Sequence, residues 1–441
     1  MTVETAEKRS SELQQIYEEV ADDGFDQPRS VHTSVDAKIA YMPEEDEFGV
    51  VITETNAFPE GQEFCDSIHE EEWIENTVNS LINGMPSEAD DVVVNLPEQP
   101  YQDDVQWLKD EKKELASRIE SKLEHVDTTI GAEDLSIGQE SVDLNGSEYD
   151  FVVNLSDFGD NLESSLESPE GNQNILNAST AVWNTNHLET GKAGLHNSVQ
   201  TIIEGLGSEN VYSPENHEIG NLKECVNVTE RFFQKGESAI LKGNYGTHGD
   251  EVVHLDYEEF EKMSSRFGID TPDYVRHKVN EVEDRVKHKP SVDPSYSLFD
   301  QNGEFNGRED SSTAVIEQAV SETTELEEEQ AAILDYDGKP LDLVYTVWDT
   351  GNEYRAGLTV RGSKKDDTIN ANCGSQNFDL VTYDDALENG VYQDGGGESL
   401  GNLLGELAGR EVERDELTML ADDVAHISLG ARNLSAYKAE T

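Results

Sequence analysis

The densest grouping of residues able to bind a metal is Thr247-His248-Gly249-Asp250-Glu251-Val252-Val253-His254-Leu255-Asp256. If Val252–Asp256 is a strand, His254 and Asp256 share one face while Val253 and Leu255 take the other. His248 and Asp250, on the turn before it, would then complete a His/carboxylate set suited to a divalent metal. His248, Asp250, His254 and Asp256 are therefore the candidate metal ligands. The plainer alternative is a Gly-rich turn whose exposed His and Asp lead into a strand.

Two further segments widen this set. Ser156-Asp157-Phe158-Gly159-Asp160-Asn161 follows an expected strand at Tyr149–Leu155, and Asn216-His217-Glu218 is expected on a turn before a helix. These Gly-Asp and Asn-His-Glu elements resemble the calcineurin-like metallophosphatases, in which carboxylates, an Asn and His residues hold two metals and hydrolyse phosphoesters. The resemblance implies a metal-dependent hydrolase, a phosphoesterase or nuclease, drawing also on Asp157, Asp160 and His217. The sequence departs from that family in lacking the opening Asp-x-His and the terminal Gly-His-x-His. It also carries Glu215 before Asn216, where the family has Gly.

Other chemistry has little foothold. No Gly-x-Ser-x-Gly elbow occurs, and Cys65, Cys225 and Cys373 are far apart and match no metal spacing, which reads as reduced core thiols. The runs Gly243–Gly249 and Gly395–Gly397 lack the Lys-Ser/Thr of a phosphate loop and the spacing of a dinucleotide fold, so they read as turns. Asp300-Gln-Asn302-Gly303 begins like a calcium loop but has its Glu at the wrong offset. No organic cofactor motif is present. Clusters such as Glu70–Glu72 and Glu325–Glu329 should attract K, Na or Mg ions loosely, as a solvated acidic surface does.

Candidate interaction residues come from two places. Thr271-Pro272 starts a helix with Val275, Val279, Val282 and Val286 on one side. Its other side carries Arg276, Lys278, Arg285 and Lys287, a basic face able to dock an acidic partner or to neutralise carboxylates of its own chain. Trp183 lies within an Asn-rich connector, where an isolated large ring suggests contact with another subunit.

The elements that must position these residues are a mixture of helices and hairpins, an α+β (mixed α/β) chain in two or three segments with a helical C-terminus. Residues 1–126 form an expected α+β unit, with a hairpin at Lys38–Tyr41 and Val50–Thr55 and a long helix over Gln102–Val126. Residues 127–290 go from strands to helices (Ser198–Gly205, Ile219–Gln234, Tyr257–Phe267) and contain the polar connector 156–190. Residues 291–441 hold a linker, an acidic helix over Ser312–Leu334, a hairpin at Leu341–Trp348 and Tyr354–Arg361, and C-terminal helices at Leu400–Leu407 and Glu413–Tyr437.

Composition bounds the setting. Among 441 residues, 95 Asp and Glu face 31 Lys and Arg, a net charge of −64. Self-repulsion on that scale opposes compaction and is screened at molar salt, where the Debye length is about 3 Å. The acidic surface, with apolar residues still grouped periodically, predicts a folded, soluble protein of a salt-in haloarchaeal cytoplasm. The abundance of Asn, Ser and Ile leans toward a virus. No basic cluster exists to release phosphate counterions, so direct nucleic-acid binding is not expected. Neither a signal peptide nor a membrane-spanning apolar run is visible.

With no catalytic motif, the first functional expectation is a non-enzymatic structural or assembly protein, such as a virion head or tail component, working as a homo-oligomer or larger assembly. Glu230-Arg-Phe-Phe-Gln-Lys-Gly236 followed by Leu241-Lys-Gly-Asn244 is similar to a helix-then-Gly turn of tailed-virus capsid proteins. The alternatives are the metal-dependent hydrolase and a cytoplasmic binding or regulatory protein.

Overall fold

The computed structural model describes residues 11–16, 32–56, 75–85, 91–96, 113–122, 126–154, 175–177, 191–244, 252–288, 295–363, 378–382 and 400–440, apart from a few positions inside these ranges. An α+β architecture results, with four sheets and two C-terminal helices.

The largest sheet runs Val211–Tyr212, Glu47–Asn56, His32–Met42, Lys339–Asp349, Tyr354–Ser363, Phe378–Thr382, with Glu329–Ile333 also pairing His32–Met42. Both expected hairpins form, and they meet edge to edge: Val35 lies opposite Tyr345, and Ile39 opposite Val50. One sheet thus joins residues from the first and last expected segments. Strand alternation puts Val35, Ala37, Ile39, Val50, Ile52, Leu343, Tyr345 and Val347 on one face. That face is buried against Leu417, Leu420, Val424, Ile427 and Leu434 of the helix Arg414–Glu440 and against Val199 and Ile202 of the helix Gly191–Leu206. A bulge at Asp36/Ala37 breaks the register near the end of this hairpin, turning Glu54 and Thr55 toward a different neighbour.

That neighbour is the second sheet, an antiparallel set in the order Asn216–Ile219, Ala314–Gln318, Ala239–Gly243, Val253–Leu255. Phe232 and Phe233 of the helix Leu222–Lys235 and Tyr274, Val275, Val279 and Val286 of the helix Thr271–Lys287 close its core. The starts of its helices are fixed by side chains: Asp256 caps Tyr257–Phe267 and Asp270 caps Thr271–Lys287, each accepting from a backbone N–H three residues on. A third, parallel sheet (Val126–Ile130, Val92–Leu96, Phe151–Asn154, Ile175–Asn177) carries helical residues 75–83 and 116–122. It docks on the large sheet through Trp348, whose Nε1–H donates to Thr77 Oγ1 at 3.1 Å.

Several expectations are corrected. The acidic stretch Ser312–Leu334 is not a helix but three strands, Ala314–Gln318, Thr323–Leu326 and Glu329–Ile333. All five residues of Ala314–Gln318 are buried, so the sheet's need for a central strand outweighs the helix propensity of the Glu run. The described part of the expected helix Gln102–Val126 is helical at 113 and 116–122, but its last residue opens the strand Val126–Ile130, and Asn216–Ile219 is a strand rather than a turn. The helix expected from Ser198 begins at Gly191. Phe267, at the end of the helix Tyr257–Phe267, is 66% exposed.

One contact ties the two ends of the chain. Arg410, between the C-terminal helices, donates through Nε to Asp46 Oδ1 at 2.8 Å and through both terminal nitrogens to Glu416 at 2.9 and 3.0 Å. Its guanidinium lies over the Phe48 ring at 5.5 Å, and Asp46 holds φ +58 at the hairpin turn. The planar fork and the stacking are both specific to arginine. Arg410→Lys should therefore lower the urea midpoint of unfolding almost as far as Arg410→Ala. A lysine variant indistinguishable from the native chain would show that only charge matters at this clasp.

Candidate functional site

The sequence-predicted ligands are not drawn together by the described residues. His248 and Asp250 lie outside them, as do Trp183, Asp157 and Asp160. The strand Val253–Leu255 has the expected parity, with Val253 and Leu255 buried and His254 and Asp256 exposed. Asp256 Oδ1, however, accepts from the Glu259 N–H at 2.6 Å as a helix cap. His217 Nε2 meets Glu215 Oε1 at 3.0 Å, within its own sheet. Among the described residues no group of three or more His, Cys, Asp or Glu is placed to hold a metal ion.

The basic helix is engaged with its own chain. Lys278 reaches Glu259 at 3.0 Å and Glu281 at 3.1 Å, Lys287 reaches Glu283 at 3.3 Å, Arg276 lies 3.9 Å from Asp273, and Arg285 donates to the Val252 carbonyl at 3.4 Å. Cys225 is buried, which pushes its thiol up to about 12 and leaves it without thiolate chemistry at neutral pH.

A different constellation forms where the two antiparallel sheets meet the helix Gly191–Leu206. A small cleft, with about 10 Å³ of room for solvent, is lined by Ile52, Glu54 and Thr55 of the first hairpin, Lys192 and His196 of the helix, and Lys242 of the second sheet. Lys192 Nζ lies 2.8 Å from Glu54 Oε1, with only 13% of the lysine side chain exposed. Lys242 is ion-paired to Glu317, whose other oxygen lies 3.2 Å from His196 Nε2. His196 Nδ1 is 3.3 Å from Ser213 Oγ.

Two cations and two anions thus alternate across one junction. Burial alone would raise the Glu54 carboxyl, but the charges of Lys192, Lys242 and His196 outweigh it and hold the group at about 2. Burial likewise works against the Lys242 ammonium, and Glu317, Glu54 and Asp36 reverse that, raising it above the ordinary lysine range. For Glu317 burial favours the neutral form, and Lys242 and His196 keep it ionised. A cation in the first turn of a helix is unfavourable with the helix dipole, so Lys192 depends on Glu54 across the gap. Such a set of fixed, desolvated charges can bind an anionic or zwitterionic ligand by exchanging one internal partner for it.

No protein-family model and no curated protein matches this sequence. The fold is similar to the crystal structure of "Putative gamma-glutamylcysteine synthetase" from Methylobacillus flagellatus KT, with a TM-score of 0.50 at 11% identity, covering 98% of this chain and 94% of that one. The likeness is one of fold. An alignment with D-alanyl-alanine synthetase A from Vibrio cholerae covers 78% of this chain and 100% of that one, but its TM-score of 0.29 at 9% identity carries no argument.

The first likeness corrects the functional expectation. A structural or assembly protein of a virion is overturned by a fold that, over nearly the whole chain, is like that of the protein titled a synthetase, which also leaves the viral and haloarchaeal origin read from composition without support. The capsid-like helix-then-Gly segment is the helix Leu222–Lys235 and the strand Ala239–Gly243 of the second sheet, and its Lys242 belongs to the pocket. Among the described residues no helix is long and apolar enough to cross a membrane.

Sequence reasoning missed Glu54, Lys192, His196, Lys242 and Glu317. A signal existed for two of them. Lys242 stands in Ala239-Ile-Leu-Lys-Gly243 and Glu317 in Ala314-Val-Ile-Glu-Gln318, each a charge inside an otherwise apolar strand, and such charges need partners.

The depressed Glu54 carboxyl has a definite pH signature. Its ionised form contributes stability above the unfolded value of about 4.5, and that contribution is lost as pH falls toward about 2. Glu54→Gln should destabilise the protein at pH 7, with the gap to the native chain closing as pH falls through that window. A gap that stays constant from pH 6 to pH 2 would contradict the ionised pairing.

Proposed function

We propose that this chain is an amide-forming ligase that activates a carboxylate substrate with a nucleoside triphosphate. The observation that carries the reading is the convergence of Lys192 and Lys242, from a helix and a strand, on one pocket at the sheet junction. The fold likeness to a synthetase supports it.

A carboxylate and an ammonium ion do not condense unaided in water, because the carboxylate offers no leaving group. Phosphoryl transfer supplies one. The carboxylate oxygen bonds to the terminal phosphorus as the bond to the bridging oxygen breaks and the nucleoside diphosphate leaves. The deprotonated amine then attacks the acyl carbon, inorganic phosphate departs with its electron pair, and the amine proton passes to a base. Such transfer is catalysed mainly by positioning and by stabilising charge on phosphoryl oxygens. Lys242, held protonated by its carboxylate neighbours, and Lys192, held by Glu54, are suited to that task.

A divalent cation would have to arrive on the triphosphate itself, since among the described residues no group of three or more His, Cys, Asp or Glu is placed to hold one; bound there, it would supply charge neutralisation. Ile52, Leu195 and Val199 form the apolar wall of the same pocket.

The purified chain, given ATP, magnesium and amino-acid mixtures, should release phosphate in an amino-acid-dependent way and yield an amide product by mass spectrometry. Lys192→Ala should reduce turnover on the order of 10²-fold, typical of losing a charge-stabilising donor. Lys242→Met combined with Glu317→Gln, which removes both members of the buried pair, should do the same without leaving an uncompensated charge. Phosphate release unchanged in both variants, or none in the native chain with any amino acid, would overturn the reading.

A further inference from the structure

We infer that Asn244 is the positioning residue that sets the two pocket lysines at their working separation, an inference that rests on the ligase reading of this pocket. Lys192 and Lys242 come from elements about fifty positions apart in sequence, and something must fix one against the other. Asn244 is 1% exposed and lies two residues beyond Lys242. Its Oδ1 accepts from the Ala193 N–H at 3.0 Å, and its carbonyl accepts from the Lys192 N–H at 3.0 Å. These N–H groups are among the four that a helix start leaves without intrahelical partners, so the cap of Gly191–Leu206 is supplied by the residue that follows the strand carrying Lys242.

The other side of Asn244 is anchored to the second sheet. Its N–H donates to the Thr313 carbonyl at 3.1 Å, and Nδ2 donates to Thr313 Oγ1 at 3.0 Å and to Glu218 Oε1 at 3.3 Å. Gly191 makes the approach possible. It holds φ +52, and a Cβ there would sit 2.5 Å from Asn244 Oδ1, so a side chain at 191 would push the cap away. Every polar atom of Asn244 is thus committed to the joint between helix and sheet, and none is left for a ligand.

The test combines amide hydrogen exchange over residues 190–206 with titration of ATP and magnesium. Asn244→Ala should speed exchange at Lys192 and Ala193 while residues 196–206 keep their protection. It should weaken nucleotide binding by about tenfold, the scale of a lost helix cap. Because Asn244 acts through Lys192, the double variant with Lys192→Ala should bind no more weakly than Lys192→Ala alone. Additive losses in the double variant, or unchanged exchange at 192 and 193, would overturn the assignment. If the native chain binds no nucleotide, the ligase reading falls, and Asn244 stands or falls on the exchange result.

Discussion

Ionised groups taken out of water must find opposite charges within a few ångströms, and the junction of the two antiparallel sheets is built around that requirement. Lys242 and Glu317 are 15% and 4% exposed at their side chains, and neither could stay charged alone. Because they lie on adjacent strands of the second sheet, their pairing fixes the local chemistry of that sheet. His196 on Glu317 and Lys192 on Glu54 then carry the same constraint across to the helix and the large hairpin.

The overall charge of −64 makes such an interior cluster conspicuous. Cations are scarce, and in the described residues many lysines and arginines face nearby carboxylates, as Lys278 does with Glu259 and Glu281. Surface pairs of that kind contribute little to stability. Lys192 and Lys242 differ in being withdrawn from solvent, where electrostatic interactions are stronger and a pair exchanged for a ligand has a larger effect.

Much of the scaffold was legible in the sequence. Period-two alternation located both hairpins of the large sheet, and Thr271-Pro272 marked a helix start that the structure keeps, with Asp270 rather than Thr271 as its cap. Legibility failed where tertiary context overrode local preference. The Glu-rich run near 325 has helical composition, yet it supplies the strands Thr323–Leu326 and Glu329–Ile333, because a partner strand was available. The candidate site was barely legible, for a physical reason. Its members are spread from Glu54 to Glu317, are single charges rather than a spaced motif, and owe their properties to neighbours that only folding provides. The His and Asp cluster near 250 drew attention because it is dense in sequence, whereas the pocket is dense only in space.

The most direct measurement is the structure of the chain with magnesium and a non-hydrolysable nucleoside triphosphate. The account predicts phosphate oxygens within hydrogen-bond distance of Lys192 Nζ and Lys242 Nζ, with Lys192 drawn off Glu54. A nucleotide bound elsewhere, with Lys192 still seated on Glu54, would contradict it.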